Sequence, residues 1–397
     1  MKEILPKEVK IILDKLKENG FQGYVVGGAV RNYLLGKTPK DWDICTNAFP
    51  SQIQEIFKEY RQIDAGLKHG TVSIIIDNKV FEITTFRKDG TYTDGRHPDT
   101  VTFIDDLKED LARRDFTINA MAYSEEHGII DFFGGKQDLK KKLIKCVGDP
   151  MQRFEEDGLR ILRAIRFATQ LNFSIEEKTK SALLYKTHLL KSLSQERKTE
   201  EIIKILSCPN GIEKIMEFEL TFTGLFRGLS LSNTIRPSGY FPATNLAILL
   251  RKNVKELVKQ ELKNMKFSNH IINLVTQSIE AYQLYEKAPE KNKILVKNLL
   301  NKFDREVVTN IFYIKMTQEN YDSKEFLAYS KFLREIDSNR EPYKVAHLAI
   351  NGIDLKNLGF EGKEISKNLD KILGVCINDS KLNNRKTLLE LLGKNFS

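Results

Sequence analysis

The sequence predicts an α+β protein in which a head of mixed strands and helices precedes an all-helical remainder. Up to about residue 145, short runs that alternate apolar and polar residues, as strands do, lie between helical runs. Two predicted strands, 71–76 and 80–86, flank the turn sequence Asp77-Asn78-Lys79 and indicate a hairpin. Beyond residue 150 only amphipathic helical runs with short breaks are found. The sequence therefore predicts a mixed head followed by helices.

The first elements of the head are a helix, a strand and a glycine turn. An apolar stripe predicts a helix from Pro6 to Leu16 that ends at Asn19-Gly20. Tyr24 to Val26 form a short buried strand, which Gly27-Gly28 breaks where another backbone or a phosphate can come close. Ala29 to Leu35 then form a short helix.

Two aspartates follow on a predicted strand that alternates polar and apolar residues. Asp41 and Asp43 share one face of it, because side chains two residues apart on a strand point the same way. Neighbouring carboxylates repel each other unless a cation lies between them, and hard oxygen ligands suit Mg²⁺. With the glycine turn, the pair predicts a site for a metal-bound triphosphate, although a plain turn and a solvated strand also fit. If the strand 80–86 lies alongside, Glu82 is a candidate third carboxylate.

The composition is that of a globular protein with excess positive charge. The 397 residues are 41% hydrophobic and 29% charged, and the formal net charge of +9 fits a nucleic-acid partner or a lysine-rich proteome equally well. Four scattered cysteines without paired metal spacing favour a reducing cytosol over a disulfide framework. Since no apolar run is long enough to cross a bilayer and the first residues lack a signal-peptide core, we expect a cytoplasmic protein without a membrane partner.

Two polar stretches of the head fit contacts with a nucleotide. Residues 87–98 contain two glycines, a proline and charges of both signs, and they predict a mobile loop that is either a lid or a plain linker. In residues 113–119, adjacent arginines precede an aspartate. Arginine binds phosphate oxygens in a fork and a carboxylate accepts from ribose hydroxyls, so this stretch suits a nucleotide. A structural cluster of salt bridges is the alternative.

A helix that carries arginines is predicted over residues 153–167. On a helical wheel its apolar residues fall on one half, and Arg160, Arg163 and Arg166 lie on the opposite half with Asp157. Asp157 and Arg160, at i and i+3, are side-chain neighbours and present an acceptor beside a donor. Cytosine and adenine offer an amino group beside a ring acceptor, whereas uracil and guanine offer the reverse, so a wrong base costs about 1–3 kcal/mol. A helical ion pair on a solvated face is the alternative.

Three stretches, taken in this order, resemble a single family. They are Gly-Gly-Ala-Val-Arg…Asp-Trp-Asp, Arg-Arg-Asp-Phe-Thr-Ile-Asn-Ala and Asp-Pro-x-x-Arg-Phe-x-Glu-Asp-x-x-Arg-x-Leu-Arg-Ala-x-Arg-Phe. They resemble the motifs of bacterial class II CCA-adding tRNA nucleotidyltransferases, relatives of bacterial poly(A) polymerase in the polymerase-β-like nucleotidyltransferase superfamily. The motifs span residues 24–167, and the helical remainder resembles the family mainly by length and composition.

The resemblance implies roles for eleven residues. The catalytic and metal-binding pair is Asp41 and Asp43, which bind Mg²⁺. The nucleotide-binding residues are Gly28 and Arg31 at the triphosphate, Arg114, Asp115 and Asn119 at phosphate or ribose, Asp157 and Arg160 at the base, and Arg163 and Arg166 at the nucleotide or the RNA end. Glu196-Arg197 precedes a helix at the place of the family's neck-stabilising motif, but the match is loose and implies no catalytic role.

The resemblance also implies a four-part chain and a reaction. The parts are a catalytic head of polymerase-β-like fold, residues 1–148, a nucleotide-selecting neck, 149–215, a body, 216–310, and a tRNA-binding tail, 311–397. The reaction is template-independent addition and repair of the 3′-terminal CCA of tRNA from CTP and ATP, by two-metal transfer with release of pyrophosphate. The partners are the tRNA 3′ end and these nucleotides, and a homodimer is left open.

Three other functions compete with this interpretation. A CC-adding enzyme is expected to lack the loop that residues 87–98 provide, and a poly(A) polymerase is expected to carry a longer basic extension. A catalytically silent tRNA-binding or nucleotide-sensing protein could share the fold. Against the silent protein stands the intact pair Asp41 and Asp43, because two mutually repelling carboxylates are costly to keep without a cation.

Overall fold

The computed structural model describes residues 1–63, 66–90, 100–234, 239 and 241–394 of the chain. The chain forms two compact units, Met1–Ile205 and Leu206–Ser397. Among the described residues every β-strand lies in the first unit, and the second unit is helical. The α+β class with a helical remainder is therefore confirmed. The division into head, neck, body and tail stays a prediction.

The strands of the first unit form a seven-stranded mixed sheet and two short ribbons. The strands are β1 Gly23–Val26, β2 Asp43–Thr46, β3 Arg61–Ile63, β4 Thr71–Ile76, β5 Lys79–Thr85, β6 Arg87–Asp89, β7 Val101–Phe103, β8 Met121–Ser124, β9 Gly128–Asp131, β10 Leu143–Ile144 and β11 Ser174–Ile175. The large sheet has the order β3-β4-β5-β2-β1-β8-β9. Within it β2 and β5 are parallel, and the other neighbours are antiparallel.

The predicted hairpin is present and its turn has the expected backbone. Ile76 pairs with Lys79, so Asp77 and Asn78 alone form the turn. Both have positive φ, 50° and 62°, the left-handed conformation that a two-residue hairpin turn requires and that Asn and Asp tolerate. The prediction of no strand beyond residue 150 was wrong for Ser174–Ile175, which forms a two-residue ribbon with β10.

Strands β1 and β2 bring the glycine turn and the aspartates to the same edge of the sheet. Val26, the last residue of β1, pairs with Asp43, the first residue of β2. Gly27 follows β1 with φ 68° and ψ −125°, a conformation that residues with a side chain rarely adopt. The strand begins at Asp43, two residues later than predicted, so Asp41 lies just before it. The sheet edge thus holds both carboxylates beside the turn.

Nine helices occupy the described part of the first unit. They are α1 Lys7–Glu18, α2 Gly28–Leu34, α3 Pro50–Ile56, α4 Leu107–Ala112, α5 Gly135–Lys141, α6 Pro150–Glu156, α7 Leu159–Leu171, α8 Glu177–Lys186 and α9 Gln195–Leu206, the last of which ends one residue beyond this unit. Helix α4 and the strands around β1 share a core that includes Val26, Cys45, Phe86 and Leu111. This core supports the sheet edge from beneath.

The single helix predicted over residues 153–167 was wrong, because the chain breaks into α6 and α7 at Asp157-Gly158. Asp157 has an extended backbone, φ −144° and ψ 102°, and ends α6. Its carboxylate accepts a hydrogen bond from the backbone N–H of Leu159 at 3.0 Å, the kind of local contact by which Asp caps a new helix. This capping outweighs the continuous apolar periodicity. The predicted apolar half is buried, and Arg160 and Arg166, predicted on the opposite half, are buried as well, so the alternative of a solvated face was wrong for these two residues.

The second unit consists of helices in its described residues. They are α10 Gly211–Glu217, α11 Glu219–Thr223, α12 Pro242–Leu250, α13 Lys255–Asn264, α14 Asn269–Lys287, α15 Lys293–Lys302, α16 Arg305–Met316, α17 Ser323–Ser338, α18 Gly352–Asn357, α19 Lys363–Asn378 and α20 Arg385–Lys394. The last three surround a core of their own that includes Leu355, Leu369, Cys376 and Leu388. No helix in the described parts of either unit is both long and apolar enough to span a membrane.

Helix α5 packs closely against the short turn Thr117–Asn119 because it begins with a glycine. A Cβ added to Gly135 would overlap the carbonyl oxygen of Thr117. The same two segments are joined by the hydroxyl of Thr117, which donates to Asp138 at 2.7 Å. A side chain at position 135 would therefore displace the turn that carries Asn119.

We expect Gly135→Ala to lower the free energy of unfolding by about 1–3 kcal/mol, the usual cost of forcing extra volume into a packed site. Trp42, the only tryptophan of the chain, is buried in the same unit, so its fluorescence during urea unfolding reports the change. Gln137→Ala, at an exposed position of α5, is the matched control and should stay within about 0.5 kcal/mol of the wild type. Equal stability of Gly135→Ala and the wild type would contradict the packing argument.

Candidate nucleotide-binding and catalytic site

A cavity of about 570 Å³ lies in the first unit between the sheet edge and helix α7. Its lining residues are Gly27, Gly28, Arg31, Asp41, Asp43, Arg113, Arg114, Asp115, Asn119, Asp157, Leu159, Arg160, Arg163, Arg166, Phe167 and Arg197. All eleven residues singled out in the sequence are among them. Seven arginines and four aspartates leave a formal surplus of three positive charges (7 − 4 = 3), which favours a polyanionic ligand.

Asp43 at the sheet edge is destabilised in its charged form. The pKa of Asp43 is raised, first because the surrounding protein desolvates its carboxylate and also because Asp41 repels it, while Arg114 opposes the shift. The pKa of Glu82 is raised by desolvation and by the charge of Asp43. A cation bound between such groups would relieve this repulsion.

The donor set at this edge fits Mg²⁺. The ion prefers oxygen ligands and is commonly held by one or two carboxylates, with water and substrate phosphates completing its coordination. Strand β5 is the parallel neighbour of β2, which meets the condition set for Glu82. However, no group of three or more His, Cys, Asp or Glu side chains is arranged to hold a metal within the described ranges. The structure therefore offers Asp41 and Asp43 as a pair, without Glu82.

Asp115 is the centre of a hydrogen-bonded chain across the cavity. Its Oδ2 accepts from Nε and Nη2 of Arg163 at 2.9 and 2.5 Å, and its Oδ1 accepts from the side-chain amide of Asn119 at 3.0 Å. Burial alone would raise the pKa of Asp115, but Arg163 and these hydrogen bonds lower it to about 2. Asn119 Oδ1 in turn accepts from Arg31 Nη1 at 2.6 Å. The chain thus connects α2, the turn Thr117–Asn119 and α7.

Arg31 carries a positive charge that no nearby carboxylate neutralises within the described part of the chain. Its hydrogen bonds go to the amide oxygens of Asn32 and Asn119. Its pKa is lowered, first by burial and further by the charges of Arg166 and Arg163, although Asp115 opposes this. An anionic ligand in the cavity would stabilise the charged form of Arg31. This side chain is accordingly suited to phosphate.

The ring of Phe167 lies beneath three guanidinium groups. The distances from the guanidinium carbons of Arg31, Arg163 and Arg166 to the ring centroid are 5.1, 5.5 and 4.0 Å. Such contacts are attractive because the face of an aromatic ring is electronegative. The ring therefore holds three like charges together on one wall of the cavity. Sequence reasoning gave Phe167 no function, since a phenylalanine on a helix is ordinarily a core residue.

Arg114 lies against the glycine turn and forms an ion pair with Asp110. A Cβ on Gly27 would lie 3.2 Å from Arg114 Nη1, and the positive φ of Gly27, 68°, itself disfavours a side chain there. The fully buried Asp110 pairs with Arg114 at 3.4 Å and with Arg113 at 2.8 Å. The two interpretations of residues 113–119 are thus compatible, because the salt-bridge cluster fixes arginines that line the cavity. Arg113 itself was missed as a lining residue.

Asp157 and Arg160 both line the cavity, but the predicted contact between their side chains is replaced by contacts with other partners. Arg160 donates to Glu156 at 2.5 Å and to the backbone carbonyls of Arg153 and Arg113 at 3.0 Å each. Asp157 pairs with Arg197 at 3.0 Å. The wheel placed them side by side because it assumed an unbroken helix. The helix break separates their partners while both still face one cavity.

The prediction of a mobile loop over residues 87–98 has two outcomes. Arg87–Asp89 forms strand β6, antiparallel to β7, so the loop prediction was wrong for these residues. Charged residues can form such a short strand because both ends of the ribbon are fixed by backbone pairing to Val101–Phe103. Residues 91–98 lie outside the described residues.

The mixed sheet, the paired aspartates and the arginine-lined cavity define a nucleotidyltransferase of the polymerase type. Residues 23–145 match the family model of the "Poly A polymerase head domain", and residues 172–229 match that of the "Probable RNA and SrmB- binding site of polymerase A". The CCA-adding enzyme of Enterococcus faecalis is 39% identical over 324 residues, which are 76% of this chain and 79% of that enzyme. The enzyme of Pediococcus pentosaceus is 35% identical and covers 98% of both chains.

Solved structures of CCA-adding enzymes are also similar to this chain. The Bacillus stearothermophilus CCA-adding enzyme in complex with CTP superposes with a TM-score of 0.77 at 27% identity, over 98% of this chain and 96% of that one. The Thermotoga maritima CCA-adding enzyme complexed with tRNA superposes with a TM-score of 0.73 at 25% identity, over 98% of this chain and 95% of that one. The chain belongs to the family of CCA-adding enzymes, the tRNA nucleotidyltransferases. Membership of this family implies the use of a divalent metal ion.

We expect Phe167→Leu to weaken CTP binding about three- to tenfold, because loss of the ring removes cation–π contacts with three arginines. Phe167→Tyr keeps the ring and should bind CTP nearly as the wild type does. Isothermal titration calorimetry with each purified variant measures both constants. Phe132→Leu, which removes an exposed ring of the same unit, is the control. Equal affinities for Phe167→Leu and Phe167→Tyr would show that the ring face is irrelevant.

Proposed function

We propose that this protein adds and repairs the 3′-terminal CCA of tRNA without a nucleic-acid template, using CTP and ATP and releasing pyrophosphate. The observation that carries this proposal is that one cavity holds the carboxylate pair and the residues suited to phosphate, ribose and base. Support also comes from relatives named CCA-adding enzymes and from similar structures solved with CTP and with tRNA. No nucleophilic side chain is needed, because the attacking group is the 3′-hydroxyl of the RNA.

Asp41 and Asp43 would hold Mg²⁺ at the sheet edge. When bound, two such ions supply activation of the tRNA 3′-hydroxyl and neutralisation of the charge on the α-phosphate and the leaving pyrophosphate. The two carboxylates fix where this charge is placed, since Asp43 is the first residue of β2 and cannot move away from the sheet. Arg114 opposes the rise in the pKa of Asp43 that burial causes, and it thereby favours the ionised carboxylate that would accept the ion.

The arginines of the cavity would bind the triphosphate. Asp115 would contact the ribose. Arg31 is the primary phosphate residue, because its charge has only amide partners, and Gly28 leaves room for the phosphates beside it. Asp115 is kept ionised by Arg163 and held by Asn119, and it would accept from a ribose hydroxyl in exchange for one of the four hydrogen bonds that it now accepts from Arg163, Asn119 and the backbone N–H of Phe116. Arg163 and Arg166 would face the nucleotide or the RNA end.

Asp157 and Arg160 would distinguish C and A from U and G. Arg160 uses Nη1 for two acceptors and Nη2 for one, so Nε and one Nη2 hydrogen are left to donate to a base. Asp157 retains acceptor capacity beyond its contacts with Leu159 and Arg197. The acceptor and the donor thus come from two separately fixed side chains, which replace the template that a copying polymerase uses.

The placement of the other parts follows from the same family. We propose that residues 1–148 are the catalytic head, 149–215 the nucleotide-selecting neck, 216–310 the body, and 311–397 a tail that binds tRNA. The protein would act in the cytoplasm, where its tRNA substrate is found.

The function is tested with tRNA that lacks its 3′ end, Mg²⁺ and each labelled nucleoside triphosphate in turn. We expect C and then A to be added, and U and G to be rejected. Asp41→Asn and Asp43→Asn should lower the rate by about a thousandfold or more, because charge stabilisation by the metal ions is worth several kcal/mol. CTP binding without metal should persist in both variants.

The other outcomes separate the competing functions. Addition of C alone would indicate a CC-adding enzyme, and runs of A on unrelated RNA would indicate a poly(A) polymerase. No incorporation by the wild type would indicate a silent protein, and near-normal rates in the aspartate variants would refute the carboxylate assignment.

We expect Asp157→Asn to reduce discrimination of CTP against UTP by about ten- to a hundredfold, because an amide can donate to a carbonyl where a carboxylate cannot. The ratio of kcat/KM for the two nucleotides measures the effect. Glu155→Gln makes the same acid-to-amide change at an exposed position of α6 and should leave the ratio unaltered. An unchanged ratio in Asp157→Asn would refute the base-selecting role.

A further inference from the structure

Helices α18, α19 and α20 form a C-terminal helical group that has a core of its own. That core is built from residues between 345 and 392 and includes Ile350, Leu355 and Leu388. Helix α19 of this group packs against α15. Apolar burial is non-directional, so it favours contact between the two helices without fixing the angle at which they meet. Directional contacts are needed to fix the orientation of the group.

Lys297 provides such contacts from within α15. Its side chain is only 2% exposed, and its Nζ donates to Ser380 Oγ at 2.9 Å and lies 3.2 Å from Glu341 Oε2. Ser380 begins the short 3-10 helix that follows α19, and its hydroxyl donates to the same oxygen of Glu341 at 2.9 Å. Glu341 itself comes shortly after the end of α17. Three segments of the second unit therefore meet in one buried polar cluster, which consists of Lys297, Glu341 and Ser380.

Glu341 is the common acceptor of this cluster. Its side chain is 7% exposed, and Lys293, one helical turn before Lys297, donates to its Oε1 at 2.7 Å. Burial alone would raise the pKa of Glu341, but the hydrogen bonds from Lys293, Ser380 and Lys297 lower it to about 2. The carboxylate is therefore ionised at neutral pH, and two lysines on one face of α15 hold it.

A buried ion pair of this kind is a poor source of stability. Moving two charges out of water costs about as much as their attraction contributes, so apolar residues of similar volume often stabilise a fold equally well. A buried polar cluster adds directionality, because hydrogen bonds weaken steeply when their geometry is changed. Lys297, Glu341 and Ser380 are joined only when α15, the end of α17 and the end of α19 have one mutual orientation.

The C-terminal helical group carries an excess of positive charge that fits a nucleic acid. Residues 352–394 contain eight lysines and arginines against six acids. Lys363 and Lys367 are exposed and lie one turn apart on α19. Lysines bind RNA through its phosphates. The orientation of the group therefore decides which phosphates of a bound RNA its lysines can reach.

We propose that Lys297, Glu341 and Ser380 are positioning residues that fix the orientation of the C-terminal helical group and thereby the fit of the protein to tRNA. The proposal rests on the tRNA-binding role that the proposed function gives to residues 311–397. The three residues lie outside the lining of the nucleotide-binding cavity. Their effect is accordingly on the RNA, so that KM for tRNA changes while CTP binding and kcat do not.

The test uses a full-length triple variant, Lys297→Met with Glu341→Met and Ser380→Ala, which replaces the whole cluster by apolar side chains. We expect its urea midpoint, followed by far-UV circular dichroism, to stay close to that of the wild type, because the buried partners are removed together and Lys293 keeps Glu335. The KM for tRNA lacking its 3′ end should rise about tenfold. At saturating tRNA, kcat should stay within about twofold of the wild type, as should the Kd for CTP.

A milder variant decides the question if the triple variant does not fold. Ser380→Ala removes the hydroxyl that joins Lys297 to Glu341, and it should raise the KM for tRNA about threefold. Ser366→Ala makes the same change at an exposed position of α19. This matched control should have the KM of the wild type.

The outcomes that overturn the proposal differ from those that overturn the function. A triple variant with the stability and the tRNA affinity of the wild type would show that the cluster contributes to packing alone. Equal losses of tRNA and CTP binding, or a Ser380→Ala variant that matches Ser366→Ala, would also contradict the positioning role. If the wild type adds no C or A to tRNA, the proposed function fails, and the Kd for tRNA, measured by fluorescence anisotropy, still decides the role of the cluster.

Discussion

The site depends on holding seven like charges around one cavity. Arginines this close repel one another, and the structure offsets the repulsion by giving six of them a carboxylate. The pairs are Arg113 and Arg114 with Asp110, Arg160 with Glu156, Arg163 with Asp115, Arg166 with Glu201, and Arg197 with Asp157. Loss of one acid from such a buried pair typically costs about 3–5 kcal/mol, because a desolvated charge is left alone. The carboxylates that pair with these arginines therefore determine the geometry of the site as much as the arginines themselves do.

Arg31 differs from the other six, and the difference indicates where the ligand charge belongs. Among the described residues it has amide oxygens and the ring of Phe167 around it, but no carboxylate. The paired arginines are fixed in direction and contribute remaining donors, whereas Arg31 contributes an uncompensated charge. The negative charge of a bound triphosphate would neutralise the positive charge of Arg31. Asp41 and Asp43, which would hold the metal ion, line the same cavity as Arg31.

How much could be predicted from the sequence depends on the range of the interaction. The hairpin at Asp77-Asn78 was predicted because its turn chemistry is local. The eleven residues that line the cavity were found through the resemblance of three separate motifs to a known family. The break at Asp157-Gly158 was missed because one capping hydrogen bond outweighed a longer apolar pattern. Arg197 was noted only in a loose match to the family's neck-stabilising motif, and its place in the cavity was missed because its partner lies 40 residues away and no periodicity connects them. The burial of Arg160 likewise depends on Glu156 and on backbone carbonyls, which a helical wheel does not represent.

The helix break, which the sequence periodicity did not indicate, supports the proposal that Asp157 and Arg160 select the base. On an unbroken helix, Asp157 and Arg160 would satisfy each other, and a nucleotide would have to separate an ion pair before it could bind. With the break, each side chain has its own partner and its own remaining hydrogen-bonding capacity directed to the same cavity. A protein without a template needs an acceptor and a donor that are both unsatisfied and immobile. Separate ion pairs, Asp157 with Arg197 and Arg160 with Glu156, meet both requirements at once.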